Sequence, residues 1–332
     1  MTQHPTRRQM LMGAAGMAAA LTLPRAATAQ QATPAGGWSF TDDKGVTVEM
    51  DALPERLAID VNAAAPLWDY GIRPDAVFGW NATETGDFGD AGGNIDPEGI
   101  AIAGNASEPV QVEKLAAVDP DLIVTLTWTP EDPQDYWSFD PEILPQAQEI
   151  APILAMSATG SADANTERFA ELAAALGADL ETPELAEARD GYDAAMADLE
   201  AAAAEKADLT VLFISVVPDT AWVANPGDWA DLTFYQAKGV GIVEPDAEDG
   251  AFWEEISHEQ ALKYPADIFM FSTRPDALTQ EELEAHPAFS QHPAIKAGQI
   301  TGWNQDFIQS YQGMTEAMTH LTETLRGAEK VI

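Results

Sequence analysis

A short module that occurs twice constrains the fold of this chain more than any other feature. The copies are VEKLAAVDPDLIVTLT at Val112–Thr127 and HEQALKYPADIFMFS at His258–Ser272. In each copy a Glu opens a short helical pattern, a Pro ends it, and an Asp eight residues after the Glu precedes an apolar β-run. Since a helix followed by a buried strand is half of an αβ unit, the two copies predict two similar α/β lobes with a ligand cleft between them.

The segment between the two copies predicts a long helix. Residues 161–207 are rich in Ala, Leu and charge, and Thr182 is a good N-cap for a helix whose first residue is Pro183. A helix over 183–206 would be ~36 Å long, enough to run from one lobe to the other, and a terminal helix is predicted over Asp306–Arg326. We therefore expect an α/β fold with two similar lobes joined by a long rigid interlobe helix: an N-terminal lobe at 38–160, linker helices at 161–207 and a C-terminal lobe at 208–332.

The first residues predict export. Arg7 and Arg8 precede an uncharged apolar run, Met12–Pro24, and a small-x-small cleavage pattern that ends at Ala29. The apolar run is too short for a membrane anchor, which needs ~20 residues, and no Cys follows that could carry a lipid. A free periplasmic protein is expected, with a twin-arginine signal peptide at 1–29 and a flexible leader at 30–37.

The chain is strongly acidic, with 55 Asp and Glu against 16 Lys and Arg and a formal charge of −39. Removing residues 1–29 takes away three Arg and no acid, which gives −42. Such a surface repels nucleic acid and anionic membranes. A saline habitat, in which acidic surfaces are screened, is favoured over a specific cationic partner as the explanation.

Five motifs in order resemble one family from about residue 40 to the C-terminus. They are Asp42–Val48, Pro54–Leu57, Val112–Val124, Ile256–Ile268 and Pro293–Ile300. With the central helix, they resemble the periplasmic substrate-binding proteins of ABC importers that take up iron–siderophores, haem or cobalamin. A Gly- and Asp-rich insertion at Asn81–Pro109 departs from this pattern and is expected to border the cleft.

The resemblance implies a partner. In this family one Glu on each lobe docks into basic pockets of the membrane permease, and Glu113 and Glu259 match those positions. A purely structural explanation is also open, because a carboxylate in the first turn of a helix is favoured by the helix dipole. The resemblance further implies that the protein is a monomer that works with the permease and, through it, the ATPase. It implies no enzymatic activity, catalytic residue, cofactor or metal site.

The ligand is expected at the carboxyl ends of the predicted strands, where α/β folds place their ligands. Tryptophans and polar residues cluster there, although aromatic residues could equally be core and Arg274 could form a surface salt bridge. The predicted ligand-binding residues are Trp80, Asn81, Trp128, Trp137, Trp222, Trp229, Arg274 and Trp303.

The scarcity of basic residues bears on the ligand. A ferric tricatecholate carries about three negative charges and needs several Lys or Arg, so a neutral or cationic ferric hydroxamate is favoured, with cobalamin or haem as alternatives. A free-metal receptor is disfavoured because Cys is absent and the four His outside the signal all lie in the second half. A twin-arginine-exported enzyme is disfavoured because the sequence has no G-x-S-x-G, P-loop, H-E-x-x-H or G-x-G-x-x-G motif.

Overall fold

Two five-stranded sheets form the framework of the protein. The structure is a computed structural model that describes residues 37–247 and 250–332. The helices and strands, in chain order, are β1 (Trp38–Thr41), β2 (Thr47–Met50), β3 (Leu57–Asp60), α1 (Val61–Asp69), β4 (Ala76–Phe78), β5 (Ala101–Ile102), α2 (Val112–Val118), β6 (Leu122–Thr127), α3 (Leu144–Ile150), β7 (Ile153–Ser157), α4 (Ala162–Ala175), α5 (Pro183–Glu205), β8 (Val211–Val216), β9 (Ala221–Ala224), α6 (Ala230–Ala237), β10 (Trp253–Ile256), β11 (Ile268–Ser272), α7 (Gln280–Ala285), α8 (Pro293–Lys296), β12 (Ile300–Trp303) and α9 (Tyr311–Gly327).

The first sheet is wholly parallel, in the order β5-β4-β3-β6-β7. Its central strands β3 and β6 are buried along their whole length, as expected for parallel strands covered on both faces. The hairpin of β1 and β2 lies outside this sheet. Because all five strands point the same way, their carboxyl ends meet along one edge.

The second sheet has the order β10-β9-β8-β11-β12. Strands β8, β11 and β12 are parallel, whereas β9 is antiparallel to both β8 and β10. The prediction of two similar α/β lobes is therefore confirmed, with an antiparallel edge on the second lobe that the sequence did not indicate.

The predicted long helix is α5, which follows the last strand of the first sheet and precedes the first strand of the second. Its 23 residues give a length of ~35 Å. The Thr182 side chain accepts from the amide of Leu185 at 3.3 Å, which caps the helix as expected. Along its length α5 packs on α9, and Tyr192 contacts Tyr311 at a ring-centroid distance of 5.4 Å.

The repeated module has the same structural role in both lobes. In the first lobe, the Asp121 carboxylate accepts from the amides of Glu55 and Arg56, just before β3. In the second, the Asp267 carboxylate accepts from the amide of Thr210, just before β8. Each Asp thus holds the start of the neighbouring central strand.

The predicted signal peptide and all but the last residue of the predicted leader lie outside the described residues. Within the part of the chain that the structure describes, no helix is long and apolar enough to cross a membrane.

Candidate functional site

An open cavity of about 610 Å³ lies at the carboxyl ends of the strands of both sheets. We call it the aromatic cleft. It is lined by Asn62, Trp80, Asn81, Leu126, Trp128, Trp137, Trp229, Phe252, Trp253, Arg274, Pro275, Asp276 and Asp306. The lining is drawn from both halves of the chain, as in a ligand site between two lobes.

Tryptophans of the first lobe form one wall of the aromatic cleft. Trp80 follows β4 and Trp128 follows β6, and both contact Trp137, with ring centroids 6.4 and 5.7 Å apart. Trp80 is 48% exposed, which is unusual for so large an apolar side chain. An exposed indole at the mouth of a cavity is available to cover a bound molecule.

The opposite wall belongs to the second lobe and touches the first through Trp128. The ring of Trp128 meets Phe252 at 5.4 Å and Trp229 at 6.1 Å, both edge to face. Trp229 is fixed because its indole N–H donates to the carbonyl of Phe252 at 3.0 Å. Aromatic pairs of this kind stabilise a contact by about 0.5–1.5 kcal/mol beyond burial, so the two walls hold each other in place.

The charges of the aromatic cleft nearly cancel. Arg274 donates to Asp306 through two bonds, from Nε to Oδ2 at 3.0 Å and from Nη2 to Oδ1 at 2.7 Å. Burial acts to lower the pKa of Arg274, but the carboxylate of Asp306 raises it above its usual value, so the guanidinium stays charged. With Asp276 as the remaining charged side chain, the lining has a formal charge of −1.

Asp60 positions one wall of the aromatic cleft from behind. Its buried carboxylate accepts from the hydroxyl of Ser138 at 2.7 Å and from the amide of Asn62 at 3.0 Å, and burial raises its pKa to about 7. Ser138 is the neighbour of Trp137 in the chain. A Cβ on Gly79 would lie 2.3 Å from Asp60 Oδ2, and Gly79 has φ +114°, so glycine is required beside this carboxylate.

Six of the eight predicted ligand residues line the aromatic cleft, and two do not. Those in the lining are Trp80, Asn81, Trp128, Trp137, Trp229 and Arg274. Trp303 is buried behind the lining, where its indole N–H donates to Asp231 at 2.7 Å and its ring contacts Trp229 at 5.4 Å. Trp222 lies within β9, paired with Ser215 and Glu255, away from the lining. Whether the six bind a ligand stays a prediction.

Sequence reasoning missed several lining residues. Phe252 and Trp253 form an adjacent aromatic pair at the start of β10, a signal that could have been used. Asp306 and Asp276 could not be singled out, because isolated acidic residues are frequent throughout this chain.

The two predicted docking residues are exposed at the carboxyl-end side of their sheets. Glu113 lies in the first turn of α2. Glu259 lies in the 3-10 turn at His258–Gln260, where Ser257 and Gln260 form a capping box. The Nε2 atom of His258 lies 3.0 Å from the carbonyl oxygen of Val217, and this contact holds the turn beside the carboxyl end of β8. Both carboxylates are therefore accessible to a partner that approaches this side.

A two-lobed α/β fold with a largely apolar cleft at the strand ends is the arrangement of a ligand-binding site between lobes. A sequence model of the periplasmic binding protein family matches residues 101–307. The chain belongs to the periplasmic binding protein family.

Solved structures agree with this assignment. A ferric-siderophore receptor protein from Streptomyces coelicolor, DesE, is 32% identical, with 89% of this chain and 100% of that chain covered and a TM-score of 0.82. The petrobactin-binding protein YclQ from Bacillus subtilis shares the fold at 14% identity, with 87% and 98% covered and a TM-score of 0.65. SirA of Staphylococcus aureus, solved with staphyloferrin B, is 18% identical, with 88% and 99% covered and a TM-score of 0.61. A comparison with curated proteins found no significant match.

Proposed function

We propose that this protein is the substrate-binding component of an ABC importer and captures a ferric siderophore in the aromatic cleft. The observation that carries the proposal is a cavity of about 610 Å³ with five tryptophans in its lining and a formal charge of −1. A siderophore complex of iron is bulky and presents much apolar surface, which suits aromatic walls. The 32% identity to a ferric-siderophore receptor over that protein's full length supports this ligand class.

Within that class, the charge of the aromatic cleft favours a hydroxamate. A ferric tricatecholate has a charge of about −3, and Arg274, the basic residue in the lining, is already bound to Asp306. Bringing three negative charges to this site would cost electrostatic free energy without a free cation to offset it. A neutral or cationic ferric trihydroxamate meets no such cost.

The exposed carboxylates of the two lobes support a role in delivery to the membrane. We infer that Glu113 and Glu259 each enter a basic pocket of the permease, whose ATPase then drives uptake. Their exposure and their position on the side where both sheets end support this role. The protein itself acts as a monomeric carrier and catalyses no reaction.

The proposed site of action is the periplasm, reached by the twin-arginine route and without a lipid anchor. The pattern from Arg7 to Ala29 supports export. The excess of acidic residues suits a saline medium, where salt screens the repulsion between them.

Calorimetric titration of the protein without residues 1–29 tests the ligand assignment. Ferrioxamine B (cationic), ferrichrome (neutral), a ferric tricatecholate, haem and cobalamin form the panel. We expect the ferric hydroxamates to bind with one-to-one stoichiometry. Preferential binding of the tricatecholate would overturn the hydroxamate assignment, and binding of haem or cobalamin alone would overturn the siderophore assignment.

A further inference from the structure

A smaller pocket adjoins the aromatic cleft. Its volume is about 40 Å³, and it shares Asn62, Leu126, Trp128, Trp229 and Asp306 with the lining of the cleft. We call it the floor pocket. Since one water molecule takes up ~30 Å³ in the liquid, the floor pocket admits one small polar group and not an iron centre.

Three residues that line the floor pocket each carry a buried polar atom without a partner among the described residues. Trp128 Nε1, Gln305 Nε2 and Gln309 Oε1 have no hydrogen-bond partner within residues 37–247 and 250–332. Leaving such an atom unpaired costs about 1–3 kcal/mol, so native proteins rarely do so without a reason. Three in one small pocket indicate a site built for an incoming group.

The two donors are held in place by their surroundings. Gln305 is 6% exposed, and its Oε1 accepts from the hydroxyl of Ser272 at the end of β11, which leaves Nε2 free to donate elsewhere. The indole of Trp128 is fixed by its edge-to-face contacts with Trp229 and Phe252. Preorganised donors bind an acceptor without a further ordering cost.

We propose that the floor pocket binds a secondary amide on the periphery of the ligand. The amide carbonyl oxygen accepts from Trp128 Nε1 and Gln305 Nε2, and the amide N–H donates to Gln309 Oε1. This assignment rests on the proposed function, since it takes the ligand to lie in the aromatic cleft. The floor pocket then selects siderophores whose backbone contains amides, while the aromatic walls hold the iron chelate above it.

The test is a calorimetric titration with ferrioxamine B, a trihydroxamate with amides in its backbone. Trp128→Phe and Gln305→Met each remove one donor and keep most of the side-chain volume. We expect each to weaken binding about three- to tenfold, the range for one lost hydrogen bond. The double variant is expected to lose less than the product of the two, because both donors serve one oxygen.

Two matched controls separate this effect from packing. Trp68→Phe removes an indole N–H from α1, outside the lining of both the aromatic cleft and the floor pocket. Gln312→Met removes a buried amide whose Oε1 is also unpaired within the described residues but which lies outside the floor pocket. Both controls are expected to bind within about twofold of the unmodified protein.

Two results would count against the proposal in different ways. If the unmodified protein binds ferrioxamine B and both donor variants bind it equally well, the floor pocket is not a ligand site. If the unmodified protein binds no ferric siderophore, the proposed function falls and this assignment falls with it. Should Gln305→Met melt at a lower temperature, Gln305→Asn, which withdraws the amide by one methylene, is expected to show the same loss of affinity.

Discussion

The balance of charge in the aromatic cleft leads to a prediction that can be worked through quantitatively. Asp306→Asn removes one negative charge and also releases Arg274 from its two-bond partner. The formal charge of the lining changes from −1 to zero. We expect the variant to bind a cationic ferric trihydroxamate more weakly and an anionic ferric complex more tightly.

The size of the effect follows from the geometry of the cavity. A volume of about 610 Å³ corresponds to a sphere of roughly 5 Å radius, so the centre of a bound complex lies ~7 Å from the Asp306 carboxylate. Two unit charges at that separation interact by ~0.6 kcal/mol in water and ~2.4 kcal/mol at an effective dielectric constant of 20. The cleft is open to solvent, so we take ~1 kcal/mol, or about a fivefold change in affinity.

Calorimetry at low ionic strength, with Asp276→Asn as the matched control, distinguishes charge from the release of Arg274. Both substitutions remove one carboxylate from the lining, but Asp276 makes neither of the two bonds that hold Arg274. Both are expected to weaken ferrioxamine B about fivefold. Both are also expected to gain affinity for a ferric tricatecholate, because each removes a carboxylate that repels it. Asp306→Asn is expected to gain more, because it alone frees the guanidinium. Equal affinity of Asp306→Asn and the unmodified protein for both ligands would refute the electrostatic reasoning.

Three further predictions concern docking, acid stability and salt. We expect the docking variants Glu113→Arg and Glu259→Arg to abolish uptake and to keep ligand affinity within about threefold, because reversed charge repels a basic pocket. The control Glu184→Arg, in the exposed first turn of α5, should leave uptake and affinity unchanged. Loss of ligand binding in either docking variant would contradict the assignment. The pKa of Asp267 is lowered to about 2, although burial acts to raise it. The cause is a set of hydrogen bonds that its carboxylate accepts from the amides of Val331 and Ile332, from Lys330 and from Thr210. A lowered pKa adds stability above the unfolded value of about 4 that is lost as the pH falls towards 2. The free energy of unfolding of Asp267→Asn should therefore be ~1 kcal/mol lower than that of the unmodified protein at neutral pH, after allowance for screening near the chain end. In denaturant titrations this difference in free energy should vanish near pH 2. A difference that stays constant with pH would contradict the link between the lowered pKa and stability. Finally, the melting temperature of the protein without residues 1–29 should rise when the NaCl concentration is increased from 0.1 to 1 M, because salt screens the repulsion within a chain of charge near −42. A melting temperature that falls over this range would contradict the saline-habitat explanation.

Strong local signals explain how much of the fold could be predicted. Continuous apolar runs correctly predicted β6 and β11. The capping residue Thr182 and the following Pro183 correctly predicted where α5 begins. Strand β10 was missed because its sequence, WEEI, contains two acids. One of them, Glu254, pairs with Lys263, nine residues further along in a turn. This ion pair compensates the charge of Glu254 at the edge of the sheet, and hydrophobic periodicity does not reveal it.

In the site, too, residues marked by the neighbouring sequence could be predicted, whereas residues positioned by contacts with distant parts of the chain could not. Tryptophans that directly follow strands, such as Trp80 and Trp128, could be assigned to the cleft from chain order alone. The terminal helix was predicted from Asp306 but begins at Tyr311, because Asp306 is held by Arg274 and Ser310 caps the helix by accepting from the amide of Gly313. A pairing between residues 32 positions apart leaves no periodic signal in an acidic sequence.

The central claim is that a ferric siderophore lies in the aromatic cleft, and intrinsic fluorescence tests it most directly. Five of the nine tryptophans line the cleft, and a further one, Trp303, contacts two of them. Titration with ferrioxamine B should quench more than about half of the tryptophan emission at one equivalent, because energy passes efficiently from indoles in contact with an absorbing ligand. The gallium complex, similar in shape but without the absorbing iron centre, should bind and quench far less. Tight binding of ferrioxamine B that leaves the emission unchanged would contradict the account.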